Sequence, residues 1–173
     1  MEAALRDALR ALGHQSFVLA RPTRDEHVLP GAIDHSDVWL QDGVEDASNY
    51  RIPTAEYLGW AERHQLDACF FNQNYQFDAI AALRARGVRT LGYFVWESFR
   101  REDVAPALRA YDLLYSLNRC TMDRYRRLGI DSPLVRWGIH PELLAIAAQR
   151  SDDVVRFFFP GGMQGPRKPL RAV

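Results

Sequence analysis

Between residues 67 and 135 the chain alternates short apolar runs with longer amphipathic stretches, and no other feature narrows the choice of fold as much. The apolar runs at 68–71, 90–95, 113–115 and 134–135 have strand length. The stretches 77–86, 102–110 and 121–128 repeat apolar residues at the helical period. Gly87 and Gly129 follow two of these stretches where a C-terminal cap glycine belongs. Strands that are apolar on both faces and separated by helices predict an α/β fold. The form predicted is a Rossmann-like parallel sheet with helices on both faces.

The flanking sequence extends this pattern. Leu5, Ala8, Leu9 and Leu12 predict a helix over 2–12 closed by Gly13, and Phe17-Val18-Leu19 predicts a strand within 15–20. Pro22, Pro30 and Gly31 interrupt 21–52, where only 37–40 reads as a brief strand. A helix is predicted over 53–65, with Thr54 as its N-cap and Leu58 and Ala61 facing inward. Past Arg136 come a turn at 137–141, a short helix at 142–149 and a very apolar strand at 154–159. A glycine loop over 160–169 and a helix start at 170 then give the opening of a second Rossmann unit. The boundaries are therefore 1–136 for the first domain, 137–152 for a linker and 153–173 for the start of the second.

Composition excludes several classes. In 173 residues, 22 basic side chains balance 22 acidic ones, so no net field draws the chain to nucleic acid or anionic lipid. No apolar run reaches the roughly 20 residues of a membrane-spanning helix. The N-terminus carries Glu2 where a signal peptide has base, which points to a cytoplasmic protein with Cys69 and Cys120 as reduced thiols. His27, His35 and His64 lack partners at metal-ligand spacing, so no metal is expected. A dinucleotide-dependent oxidoreductase would need a G-x-G-x-x-G before its first helix, and the chain has none. Lys168, the single lysine among the 22 basic residues, lies in the glycine loop.

Three passages carry a family resemblance. Leu9 to Leu19 contains Gly13-His14 and is similar to an "L-x-x-x-G-H-x-V" passage from first helix to second strand. Asp112 to Asn118, Leu128-Gly129-Ile130 and Leu134 to His140 are similar to a strand, a helix start, a terminal "L-G" and then "V-x-x-x-G-(V/I)-(D/H)". Phe157 to Gly162 with Arg167-Lys168-Pro169 is similar to "F-x-x-G-R-L…K-G". Together, in this order, they resemble the retaining nucleotide-sugar glycosyltransferases of the GT-B fold (group 1, GT4-like). Asn118, Gly162 and Pro169 stand where that family usually has serine, arginine and glycine. The family begins with a strand and a glycine-rich loop before its first helix, and it carries an acidic "E-x7-E" region beyond the donor loop. The resemblance thus implies an acceptor-side domain without its first, central strand, and a sheet with a missing middle. A chain of this kind is expected to be inactive, or nearly so, by itself.

In open α/β sheets ligands bind beyond the carboxyl ends of the strands. Asn72, Asn74 and Tyr75 follow the strand at 68–71; they either meet the hydroxyls of a sugar acceptor or cap the next helix and tie down the loop. Trp96 and Glu97 follow the next strand. Trp96 is either a platform for a sugar face or core. Glu97 is either an acceptor contact that orients or deprotonates a hydroxyl, or a helix-terminal acid. Gly161, Gly162, Arg167 and Lys168 form the candidate donor diphosphate site, and the resemblance adds His140. The implied activity is transfer of a sugar from a nucleotide sugar to a carbohydrate or lipid-linked acceptor, without cofactor. The competing reading is a non-catalytic Rossmann-like module that binds a carbohydrate or a partner. Arg124, Arg126 and Arg127, beside Met122 and Tyr125, make either a solvated helix face or a peripheral membrane contact.

Overall fold

A computed structural model describes residues 8–21, 42–95 and 97–135. All lie in the first of two compact units, Met1–Gly138 and Ile139–Val173. The expectations for 37–40 and for everything beyond residue 135 fall outside the described residues.

The described residues open on helix at 8–11. Gly13, at φ +84°, ends it in the left-handed conformation that glycine adopts without strain, and the His14 N–H reaches back to the Leu9 carbonyl at 2.9 Å. Strand β1, Val18–Ala20, follows and pairs in parallel with β2, Val44–Asp46. The acidic, three-residue β2 does not show in the hydrophobic pattern. It forms because Val18 aligns with Val44 across the pair.

Helix α1, Thr54–Arg63, begins one residue earlier than a Thr54 cap requires. Pro53 is the cap, and its carbonyl accepts the N–H groups of Glu56 and Tyr57. Proline suits this place because it has no N–H to leave unpaired. Then β3 (Ala68–Asn72), α2 (Phe77–Ala85), β4 (Arg89–Tyr93), α3 (Arg101–Ala110), β5 (Leu113–Leu114) and α4 (Arg119–Arg127) alternate as the pattern predicts. Strands β3, β4 and β5 form a second parallel sheet in that order, and a parallel bridge from Ser116 to Leu134 extends it. Asn118 caps α4: its side chain accepts the Thr121 N–H at 2.8 Å, a task serine performs equally well.

The fold is therefore mixed α/β, with two small parallel sheets and helices, compatible with a Rossmann-like arrangement. One face of the larger sheet is buried through Cys69, Phe71, Thr90, Gly92 and Leu114. Its other face is apolar too, but no described helix covers it, where the sequence suggests helices on both faces. Phe70 is 58% exposed there and Leu113 37%, in one row with Leu91. The cause is topological. Right-handed crossovers from β3 to β4 to β5 all step the same way across the sheet and place α2 and α3 on one side. A helix for the other side must come from a connection running the opposite way, and among the described residues there is none.

The core joins the sheet's buried face to the helices through Ile80, Leu83, Phe94, Phe99, Ala107, Ala110 and Tyr125, all fully buried. Gly92 permits one contact that decides the packing. A Cβ at that position would lie 2.5 Å from Cε1 of Tyr111, so the tyrosine ring rests directly on the β4 backbone.

Candidate functional site

The carboxyl ends of the parallel strands carry the polar side chains to which the sequence points. Asn72 ends β3 with its side chain exposed, and Gln73 turns the chain at φ +47°, its N–H donating to the Tyr93 carbonyl at 3.1 Å. This bond continues the β3–β4 ladder and fixes the direction in which the loop leaves the sheet.

Asn74 turns inward and is only 4% exposed. Its Nδ2 donates to the Tyr57 hydroxyl at 2.8 Å, its Oδ1 accepts the Gln76 N–H at 3.0 Å, and its carbonyl accepts the Tyr111 hydroxyl at 2.8 Å. Both ends of the amide are thus spent on the fold, and Asn74 holds the loop in place instead of facing outward. Of the two readings the sequence left open for it, the structure favours the one that ties down the loop. Burial pushes the Tyr111 hydroxyl far above the ordinary tyrosine range, so it stays a proton donor to Asn74.

Gln76 completes the fastening. Its Nε2 donates to the Ile52 carbonyl at 2.6 Å and its Oε1 accepts the Ile52 N–H at 3.1 Å, an exchange like that between paired strands. Arg21, the residue after β1, reaches the same Oε1 at 3.4 Å and lies over the Tyr50 ring at 5.2 Å from its centroid. The end of the smaller sheet and the loop after β3 therefore meet at one side chain.

Tyr75 is 39% exposed. Its ring lies against Phe94 and Phe77, at centroid distances of 4.7 and 5.8 Å, and its hydroxyl donates to Ser98 Oγ at 3.1 Å. Partial burial raises its pKa, outweighing the opposing hydrogen bond with Ser98. The turn at 97–98 leaves Glu97 and Ser98 exposed, and the Ser98 N–H donates to the Val95 carbonyl at 3.2 Å. The buried Tyr125 hydroxyl accepts the Phe94 N–H at 2.8 Å and so anchors the end of β4 to α4. Asn72, Tyr75, Glu97 and Ser98 thus share the carboxyl side of β3 and β4, exposed, on loops fixed from beneath. Trp96, His140, Gly161, Gly162, Arg167 and Lys168 lie outside the described residues.

Sequence reasoning did not single out Arg21, Gln76 or Ser98. Arg21 satisfies the same rule that selected Asn72 and Glu97, since it follows a strand directly. Gln76 gives no signal of its own, because its partner Ile52 is 24 residues away. A hollow of about 240 Å³ lined by Arg10, His14, Phe17 and Asp42 opens at the opposite, amino end of β1 and β2. Among the described residues, no three His, Cys, Asp or Glu side chains converge as metal ligands do, and no helix is long and apolar enough to cross a membrane.

No protein-family model, curated protein or solved structure matches the chain.

Proposed function

We propose that this chain supplies the acceptor-binding half of a nucleotide-sugar-dependent glycosyltransferase. The observation that carries the reading is the group Asn72, Tyr75, Glu97 and Ser98 at the carboxyl end of a parallel sheet, exposed on loops pinned by Asn74, Gln76 and Tyr125. An amide, a phenol, a carboxylate and a hydroxyl offer the mixed donors and acceptors that sugar hydroxyls require. Preformed loops reduce the ordering cost of binding.

In the proposed reaction the acceptor hydroxyl oxygen forms a bond to the anomeric carbon as the bond from that carbon to the donor phosphate breaks. The nucleoside diphosphate leaves with the bonding electrons, and the hydroxyl proton passes to the departing phosphate oxygen. Glu97 orients the acceptor hydroxyl. Arg167 and Lys168 offset the developing charge on the diphosphate.

The test is a panel of nucleotide sugars assayed for binding, hydrolysis and transfer, using the chain alone and extended by its flanking coding sequence. Lys168→Ala is expected to weaken donor binding by about 1–3 kcal/mol, as for a lost charged hydrogen bond. Glu97→Gln is expected to lower turnover while sparing donor affinity. No saturable binding of any nucleotide sugar by the extended chain would refute the proposal.

A further inference from the structure

The reading above leaves Arg21 without a task, and a ring and an amide hold its side chain in place. The exposed arginines Arg63, Arg84 and Arg126 each pair with a carboxylate. Half-buried Arg21 makes no ion pair among the described residues, and its one hydrogen bond is the 3.4 Å contact to a neutral amide. Asp46, whose backbone is in register with Ala20 immediately before Arg21, does not pair with it.

A guanidinium has five N–H donors in a planar fork, and among the described residues only one of those on Arg21 meets an acceptor. Tyr50 lies beneath the fork and restrains it, while Gln76 holds one tip. Such an arrangement is organised for a planar, bidentate anion. Its position has a second meaning. β1 pairs with β2 in one sheet, and β3, β4 and β5 form the other. Arg21, after β1, touches the loop after β3, at the carboxyl ends of the strands, where open α/β sheets take their ligands.

We propose that Arg21, set by Tyr50 and Gln76, binds an anionic group, a phosphate or a carboxylate, on the molecule that binds at these strand ends. On the proposed function, the acceptor is thus an acidic or phosphorylated hydroxyl compound, not a neutral sugar.

The experiment uses the full chain and two probes, inorganic phosphate and succinate, with sodium chloride at matched ionic strength as the control. Thermal unfolding and ¹⁵N chemical-shift titration are read for the wild type and for Arg21→Gln, Arg21→Lys and Arg51→Gln. The expected result is a saturable rise in midpoint with at least one probe, together with shifts of the Arg21 Nε–H and the Gln76 and Tyr50 amides. Arg21→Gln should weaken that probe at least tenfold, Arg21→Lys by less, and Arg51→Gln not at all. A response to phosphate alone assigns a phosphorylated ligand, and a response to succinate a carboxylate. Equal binding by wild type and Arg21→Gln, or no saturable binding of either probe, overturns the inference. Should Arg21→Gln fail to fold, the same comparison is made with Tyr50→Ala, where a fivefold or greater loss is expected and no loss overturns it. Anion binding without any sugar transfer would sink the glycosyltransferase reading and leave this site standing. Transfer to neutral acceptors, with kcat/KM unchanged in Arg21→Gln, would do the reverse.

Discussion

Gly92→Ala tests the packing on which the candidate site rests. The added Cβ would sit 2.5 Å from Cε1 and 3.1 Å from Cδ1 and Cζ of Tyr111, where carbon atoms ordinarily meet at about 3.5–4.0 Å. The ring must therefore retreat by about 1 Å. It has little room, since its faces and edges already meet Phe71 and Phe94 at 5.8 and 5.7 Å. Overpacking of this kind costs about 1–3 kcal/mol. If the retreat also pulls the buried hydroxyl off the Asn74 carbonyl, the unpaired groups add about 1–3 kcal/mol. Alanine recovers about 0.5–1 kcal/mol through lower chain entropy in the unfolded state. With both terms the balance is a loss of about 1–5 kcal/mol, a fall in midpoint of roughly 2–20 °C for a chain of this size. Urea unfolding measures it directly. Combining Gly92→Ala with Tyr111→Leu removes the ring, and the alanine should then be nearly neutral. A single-mutant loss below about 0.5 kcal/mol, or no rescue in the double mutant, would refute the argument that the ring lies on the strand.

Three further outcomes follow from burial and charge. Phe71→Ala should cost about 3–5 kcal/mol, whereas Phe70→Ser, on the open face, should stay within about 0.5 kcal/mol in the same unfolding assay; a sheet covered on both faces would make both costly. Burial pushes the Cys69 thiol up to about 12, so at pH 8 a disulfide reagent should label only Cys120 until the chain unfolds. Labelling of two thiols in the folded chain contradicts this. Glu45 and Asp112 both sit below their ordinary values of 4.5 and 3.8: burial raises each, but hydrogen bonds from His64 and Arg63 to Glu45, and from Thr90 to Asp112 with the Arg84 charge, outweigh it. A lowered folded pKa gives stability that is present above the unfolded value and lost as pH falls through the folded one. The loss should therefore fall below about pH 4.5. Both carboxylates are partly exposed, so each contributes on the order of a few tenths of a kcal/mol. Glu45→Gln with Asp112→Asn should flatten the acid limb of a pH–stability curve, and an unchanged limb would remove both pairs from the account.

The elements most legible in the sequence were those whose signal is local. Helices α2, α3 and α4 and strands β3 and β4 appear within two residues of their predicted bounds, because their signals, the apolar period and a glycine directly after two of the helices, are local. β2 was not legible, since Val44-Glu45-Asp46 becomes a strand only through its partner β1. The open face was illegible for a similar reason. Phe70 and Leu113 are apolar enough for a covered sheet, and only the direction of the crossovers decides what lies above them. Strand-end position pointed to Asn72, Tyr75 and Glu97, but it could not separate a side chain presented at the surface from one turned beneath it. Asn72 and Asn74 are two residues apart and chemically identical. Their fates differ because Gln73 takes a positive φ and Tyr57 and Tyr111 wait below.

That difference bears on how the site can work. Asn74, Gln76 and Tyr111 are tied to groups 17, 24 and 37 residues distant in sequence, so the loop they hold is built by tertiary contacts and not by its own turn chemistry. A loop of that kind keeps its shape when the exposed side chains on it change. Substituting Asn72 or Tyr75 should therefore alter what the site binds without altering the fold, whereas Asn74→Ala should lower stability and disturb every ligand alike. Tyr75→Phe is the finest probe: it removes only the hydroxyl that reaches Ser98, and its ring contacts with Phe94 and Phe77 remain. An unfolding free energy within about 0.5 kcal/mol of wild type, combined with weaker binding of the ligand, is expected from a recognition group on a rigid support. A large loss of stability from Tyr75→Phe would instead make the hydroxyl part of the scaffold, and recognition would then have to rest on Asn72 and Glu97.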